Sequence, residues 1–513
     1  MKLVKVYSSA VWGINSTLIT IETSVSTGVN FNLVGLPDNA VRESYQRINT
    51  ALRANDLGIP QKKIVINMAP ADIKKEGADY DLPLAISLLA ANEKIPDADL
   101  KKYVIMGELA LGGELRPIKG ALPIAIMARE SGFKGFILPK ENAKEAAVVD
   151  KLKVYGAANL REVVDFLSGN NNLEATVVNT REEFYKNVSL YKADFADVRG
   201  QENVKRAMEI AAAGGHNIIM IGPPGAGKTM LAKRLASIIP PLSLHEALET
   251  TKIHSVAGRM EKNSGLICQR PFRSPHHTIS DVALVGGGSF PQPGEISLAH
   301  NGVLFLDELP EFRRSVLEVM RQPLEERKIV ISRAKFSIEY PANFMLVASM
   351  NPCPCGFYNH PDKKCVCPSG TVKKYLSRIS GPLLDRIDIH IEVIPVPFEK
   401  LSGKEIVEDS NTIRNRVIAA REIQKERFTK HQGVYCNAMM ETTLIRKYCE
   451  LDLACQNTIK MAVERLGLSA RAYDRILKVS RTIADLCESE KILPRHLAEA
   501  INYRNLDREG WAG

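Results

Sequence analysis

The sequence predicts an α/β protein in three parts: an amino-terminal α/β domain over residues 1–168, a phosphate-loop core with a parallel sheet over 191–400, and a helical lid over 401–513. Three observations predict this. Strand-like and helix-like segments alternate through the first 168 residues. A glycine-rich stretch, "IGPPGAGKT", stands between a short apolar run and a helical run. The last hundred or so residues carry helical periodicity and no strand runs.

Composition fits that division. The chain has 513 residues, enough for about three domains, and its 45% hydrophobic and 25% charged content is ordinary for a globular protein. No apolar run approaches the ~18 residues that would span a membrane. The opening "MKLVKVYSSAVWGIN" lacks the sustained apolar stretch of a signal peptide. Both points predict a cytoplasmic protein without membrane contact. The net charge of +9 is compatible with nucleic acid, although the excess is small for this length. Nine cysteines in such a chain are thiols or metal ligands rather than disulfides, and four of them crowd into 353–367.

In the first part, "STLITIETSVSTG" alternates as a strand does, and "NFNLVGLP" follows it. "AVRESYQRINTALRAN" has a helical pattern, "KKIVINMAP" is a further strand and "DLPLAISLLAAN" a further helix. From Ser168 the text turns polar and Asn-rich, so 169–190 is predicted to be a linker. In the last part the helical segments are "GKEIVEDSNTIRNRVIAAREIQKERF", "CQNTIKMAVERLGL", "ARAYDRILKVSRTIADLCES" and "PRHLAEAINYR".

The core carries the chemistry. "HNIIMI" is a short buried strand, "MLAKRLASII" a helix, and between them lie Gly222, Pro223, Pro224, Gly225, Ala226, Gly227, Lys228 and Thr229. Glycines at this spacing let backbone N–H groups surround a phosphate chain. The lysine adds a point charge, and the threonine hydroxyl can hold Mg2+. Chance supplies about 0.02 such matches in a chain of this length, so the pattern predicts nucleotide binding. Farther on, the apolar run Val303–Leu306 delivers Asp307 and Glu308 at its end. An acid there can hold the metal through water, and a second can orient the attacking water. "NFMLVASMNP" is another strand and ends in Asn351, which either positions that water or starts a turn before Pro352. Arg386 lies between two aspartates in "SGPLLDRIDIHIEV", as a surface ion pair or as an arginine that reaches a neighbouring subunit's nucleotide.

"VRGQENVKRAMEIAAAGGHNIIMIGPPGAGKT", "LFLDE", "ASMNP" and "GPLLDRID" together resemble an AAA+ ATPase. More narrowly, they resemble the magnesium-chelatase-like branch that also holds the minichromosome maintenance helicases. The whole chain is similar to the ComM (YifB) family of bacterial proteins. The resemblance implies a Lon-like (ribosomal S5 domain 2-like) amino-terminal domain, an AAA+ core and a helical lid, with ATP and Mg2+ as cofactor and metal. It implies sensor-1 duty for Asn351, a trans-acting finger at Arg386, a sensor-2 arginine at Arg471 in "LSARAYDRILKVSRTIADL", and Val198 and Gly200 of "DVRGQ" beside the adenine. It also implies a homo-hexameric ring and helicase or branch-migration work on recombination intermediates in natural transformation. A Lon-type protease needs a serine nucleophile and a lysine base. Here the matching places read Gly77-Ala78-Asp79-Tyr80 and Gly120-Ala121-Leu122, so the fold is expected without the protease.

Three further segments bear on substrate. "FRSPHHTISDVALVGGGSFPQPGEISLAHNG" is predicted to be a mobile loop, and its adjacent His276 and His277 do not suit a metal pair. "RKIVISRAKFSIEYPANF" is predicted to be a β-hairpin with Arg333 and Lys335 at its tip. These are ordinary surface charges or, by the resemblance, residues that grip DNA phosphates. Cys353, Cys355, Cys365 and Cys367 form two Cys-x-Cys pairs that can close around Zn2+, with His360 as a substitute ligand, or remain four reduced thiols. The leading expectation is an ATP-driven motor on single-stranded or branched DNA. A chelatase motor for magnesium insertion shares the core but lacks the Lon-like domain and the cysteine loop. A protein remodeller is expected to carry an aromatic pore tip, where this chain has "SRAK".

Overall fold

The computed structural model describes residues 2–59, 62–170, 172–187, 193–288, 291–333, 336–358, 360, 363–368, 370–397 and 407–504. Its largest sheet belongs to the amino-terminal part. From edge to edge it runs Ala175–Thr176, Lys153–Ala157, Gly135–Pro139, Tyr103–Ile105, Lys2–Trp12, Asn15–Ser26, Lys63–Ala69 and Phe31–Val34. The long hairpin Lys2–Trp12/Asn15–Ser26 pairs Val6 with Ile21 and turns at Gly13, whose φ is 61°. Its alternation buries Val4, Val6, Ile19 and Ile21 on one face, as a half-covered sheet requires. The helix Asp81–Ala91 covers part of it, and against Asp81–Ala91 packs the helix Asn39–Ala54. Asp38 caps that helix by accepting from the Val41 N–H at 2.8 Å, and the buried set Val41, Ser44, Ile48, Ala51 and Leu52 follows helical spacing.

The segment predicted to be a linker is partly structured. Ala175–Thr176 adds an edge strand to the sheet, Thr180–Asn187 is a helix, and Phe184 is buried. Its polar wording hides Leu173, Val178 and Phe184, and these pack into cores that the neighbouring sequence does not announce.

The second sheet is all parallel, in the order Phe272–Arg273, Val303–Leu306, Met345–Met350, Ile218–Ile221, Ile389–Glu392. Its central strands are buried on both faces and read as apolar runs, interrupted at Ser349. Helix Glu202–Gly214 and the lid share one apolar core with this sheet, through residues such as Val204, Val417, Ile476 and Leu497. On another side Leu242, Ala247, Leu266 and Cys268 join the amino-terminal core around Ile124 and Phe136. Polar bonds reinforce that junction. The Gly120 N–H donates to the Ser255 carbonyl at 3.1 Å, the Ser255 hydroxyl donates to Glu145, and Glu145 also accepts from the Leu122 N–H at 2.9 Å.

One buried ion pair ties sheet to lid. Asp388, 1% exposed, accepts from Arg475 at 2.8 Å and from the Asn217 N–H at 2.9 Å, with His216 at 3.5 Å. Burial alone would raise its carboxyl. The charge of Arg475 and the contact with His216 outweigh that and hold it well below the usual carboxylate range. The stabilisation is therefore present above the ordinary carboxylate pKa of ~3.9 and is lost as pH falls through the depressed folded value. Asp388→Ala should cost about 3–5 kcal/mol by leaving Arg475 without its buried partner. Thermal melting checks this, and an unchanged melting temperature would remove the pair as a tie between core and lid.

Candidate functional site

Parallel strands end at one edge, so the loops that follow them converge. The phosphate loop leaves the strand Ile218–Ile221 at Gly222, whose N–H donates to the Met350 carbonyl at 3.2 Å. A Cβ at Gly222 would lie 2.2 Å from the Val393 carbonyl oxygen, so no side chain fits. Gly227, at φ 87°, turns the chain into the helix Lys228–Ile238. Lys228 Nζ donates to the Gly222 and Pro223 carbonyls at 2.7 and 3.0 Å and to Asn351 Oδ1 at 3.0 Å. Burial lowers its pKa, while Asp307 and Glu308 pull the other way.

Beside the lysine, Thr229 Oγ1 donates to Asp307 Oδ2 at 2.7 Å, and the Ser349 hydroxyl donates to Asp307 Oδ1. A hydroxyl beside a carboxylate at the start of a helix is a donor set that fits Mg2+, which takes oxygen ligands and keeps several waters. Glu308 adopts left-handed backbone, φ 54°, and its side chain is 55% exposed. A non-glycine residue there is strained, and the strain turns the carboxyl out of the strand line. His277 Nδ1 lies 3.8 Å from Glu308 Oε2, with its ring against that of His276 at 4.1 Å. Ser349, His277 and Gln201 are contacts that the sequence reading missed. Ser349 had a signal, because alternation along the strand puts it on one face with Asn351. Gln201 Nε2 bridges the Ala226 and Ile394 carbonyls at 3.0 and 3.1 Å. It follows Gly200, and buried Val198 shares a core with Ala226 of the loop.

The two arginines differ in setting. Arg386 is 5% exposed, donates to the Pro382 carbonyl at 2.5 Å and pairs with Glu325 at 2.5 Å, an intrachain partner that the sequence did not suggest. Arg471 is exposed in the first turn of helix Ala470–Leu486, which Ser469 caps at 3.2 Å. The hairpin forms as expected, with Lys328–Arg333 against Phe336–Pro341. The backbone of Arg333 ends the first arm. Lys335 lies outside the described residues, as does the Arg333 side chain.

The four cysteine sulfurs of 353, 355, 365 and 367 lie within 4.8 Å of one another. Cys353 Sγ is 3.3 Å from Cys355 and 3.7 Å from Cys365, and the last two are 3.5 Å apart. A disulfide needs ~2.05 Å. A tetrahedron of sulfurs at ~2.3 Å from zinc has edges of about 3.8 Å, so the cluster fits a zinc site of four thiolates. Burial raises the Cys355 thiol, but the Phe357 and Val366 N–H groups outweigh it and bring it to about 6. His360 is engaged elsewhere: its Nδ1 accepts from the Lys363 N–H at 3.2 Å and its ring meets Phe357. The first part of the loop touches the nucleotide site at two points. It begins two residues after Asn351, and Gly356, at φ 82°, lies against Pro224 of the phosphate loop.

Family models match along the chain. The magnesium chelatase subunit ChlI model covers 194–401, its C-terminal model covers 407–504, and a further ChlI model covers 21–142. Competence protein ComM of Haemophilus influenzae is 45% identical over 510 residues, covering 99% of this chain and 98% of that protein. The chain belongs to the ComM/YifB family of magnesium-chelatase-type AAA+ ATPases. Another ComM/YifB relative, the uncharacterized protein YifB of Escherichia coli K12, is 46% identical over 512 residues, 99% of this chain and 98% of that one. Lon protease 2 of Bacillus subtilis is 31% identical over 159 residues, 28% of this chain and 27% of the protease. This fits the Lon-like character of the amino-terminal sheet. Membership makes the chain an ATPase by family. No helix among the described residues is long and apolar enough to cross a membrane.

Gly356→Ala tests how closely the cysteine loop and the phosphate loop are joined. Its Cβ would fall 2.3 Å from Pro224 Cδ, and left-handed backbone adds roughly 1–2 kcal/mol of strain for alanine. The variant should bind Mg-ATP about tenfold more weakly, as read by calorimetry. Wild-type affinity would show that the two loops move independently.

Proposed function

We propose that this chain is the subunit of a ring-forming motor that hydrolyses ATP to move along single-stranded or branched DNA. In this reading 1–168 is a protease-fold scaffold without the serine–lysine pair, 191–400 is the motor core and 401–513 is the lid. The observation that carries the reading is the convergence of Lys228, Thr229, Asp307 and Asn351, in hydrogen-bonded pairs, at one sheet edge. Lys228 and the loop N–H groups from Gly222 to Gly227 hold the phosphates, and Val198 and Gly200 border the adenine. Thr229 and Asp307 would hold Mg2+, which would supply neutralisation of phosphate charge. Glu308 orients the attacking water and accepts its proton, and Asn351 fixes that water's position. Arg386 of one subunit and Arg471 of the lid bring positive charge to the γ-phosphate as negative charge moves toward the leaving group. Arg333 and Lys335 grip backbone phosphates without reading sequence. A relative named for competence, in which cells take up DNA, favours DNA as the track.

The ATPase rate measured with and without forked or single-stranded DNA tests the motor. DNA should stimulate turnover, and Lys335→Ala should lose most of that stimulation while keeping the basal rate. Glu308→Gln should bind Mg-ATP normally and turn over ~10^2–10^4-fold more slowly, the usual contribution of a general base. A rate indifferent to DNA would favour chelatase or remodelling work.

We also propose that Cys353, Cys355, Cys365 and Cys367 hold one structural Zn2+. Elemental analysis should find about one zinc per chain and almost none in Cys365→Ser. Metal-free wild-type protein purified without chelator would end this assignment.

A further inference from the structure

At the opposite edge of the ATPase sheet, the starts of Val303–Leu306 and Met345–Met350 meet the lid. A polar cavity of about 80 Å3 opens there, lined by Arg270, Arg327, Arg421, Glu246, Asn343 and Cys436 among others. Strands of four to six residues at ~3.3 Å each put it about 13–20 Å from the phosphate loop. Arg270 is neutralised, with Glu246 at 3.5 Å and the Asn301 carbonyl at 2.6 Å. Arg327 and Arg421 are not. Arg327 gives one N–H to Asn343 Oδ1 at 2.6 Å, and Arg421 gives two to the Ala212 carbonyl at 2.9 and 3.3 Å. Neither has a carboxylate partner among the described residues.

More positive charge stands behind them. Lys478 Nζ donates to the Ala438 carbonyl at 3.0 Å, and Arg475 is bound to Asp388. Burial, and then the charges of Arg475 and Arg421, pull the Arg327 guanidinium below its ordinary range, although Cys436 and Asp388 oppose this. Burial and Arg475 likewise bring Lys478 down to about 8. Cations that repel each other in a poorly hydrated seam are unfavourable, and a bound anion offsets that repulsion by attracting each of them.

We propose that this cavity binds one phosphoryl group, at a site separate from the nucleotide, with Arg327 and Arg421 as its ligands. Guanidinium forks match the oxygen edges of a tetrahedral oxyanion. The space takes two or three waters at ~30 Å3 each, or one such anion. Arg327 belongs to the core, at the end of helix Arg321–Glu326, and Arg421 belongs to the lid helix Ser410–Phe428. A shared anion thus pins lid to core. This inference depends neither on the DNA motor nor on zinc.

The test uses the full chain with a non-hydrolysable Mg-ATP analogue in excess, so that the nucleotide phosphate positions are filled. Melting is followed in sodium phosphate against sodium chloride at equal ionic strength. Phosphate should raise the wild-type melting temperature saturably, and Arg327→Gln and Arg421→Gln should each weaken that effect about tenfold or more. In chloride alone Arg327→Gln should melt no lower than wild type, because removal of a repelled buried charge offsets the loss of one hydrogen bond to Asn343. A purely structural Arg327 would lower it. A short oligothymidylate competing with phosphate through the same two arginines assigns the group to a nucleic-acid backbone, and phosphate binding without such competition assigns it to the free ion. No phosphate-specific rise, an equal rise in both variants, or a lower melt for Arg327→Gln in chloride overturns the proposal.

Discussion

The candidate site depends on the parallel pairing of Ile218–Ile221 between Met345–Met350 and Ile389–Glu392. Parallel register aligns carboxyl ends: Asp307, Glu308, Ser349 and Asn351 each lie within a residue or two of such an end, while Lys228 and Thr229 follow at the start of the loop helix. Gly222 follows one strand, Asp307 another, and Ser349 and Asn351 straddle the end of a third. The Gly222 N–H bond to Met350 and the close approach of Val393 lock the phosphate loop to its neighbours at atomic range. A one-residue slip would move Ser349 and Asn351 to the other face and separate Lys228 from Asn351. The apolar filling around Phe305, Val347 and Ile389 opposes that slip.

This dependence explains what could be read from the sequence. The phosphate loop was legible because its glycines, lysine and threonine act within eight consecutive residues, where spacing and geometry are nearly the same thing. Asp307 and Glu308 were legible only in company: an apolar run that ends in acids is common text by itself, and it gained meaning from the phosphate loop that precedes it. His277, Gln201 and Glu325 were not, because their partners come from other elements: Glu308, the Ala226 and Ile394 carbonyls, and Arg386. The linker reading failed in part for the same reason, since three apolar residues in polar text gain meaning only from the cores they enter. The cysteines were countable in the sequence. Their convergence, and the contact of Gly356 with Pro224, needed the folded loop.

Arg386 shows how an intrachain contact bears on the ring reading. In a single copy it is buried, paired with Glu325, and its Nε lacks a partner among the described residues. A finger that serves the next subunit has to leave that pair. Glu325 keeps a side chain 47% exposed, so solvent partly screens the bond, but the Arg386 side chain is 6% exposed and gives up its partner from a buried position when the pair opens. A triphosphate with its metal offers a stronger and more directional field than one screened carboxylate. In the proposed ring the exchange would be favourable only where a neighbour presents a nucleotide, and this would couple the finger to both assembly and occupancy.

The amino-terminal part and the lid grip the core on either side of the phosphate loop. Helix Glu202–Gly214, which precedes the loop strand, shares its core with the lid, while helix Leu244–Val256, which follows the loop helix, is bonded to the amino-terminal part at Ser255. The strand–loop–helix unit Ile218–Ile238 is thus bracketed by two elements, each anchored in a different neighbour. Close-packed interfaces of this kind move as rigid bodies rather than deform. A change at Lys228 when phosphates arrive or leave would therefore tilt the neighbours against each other, with the core–lid seam at Arg327 and Arg421 as one place where the tilt is felt.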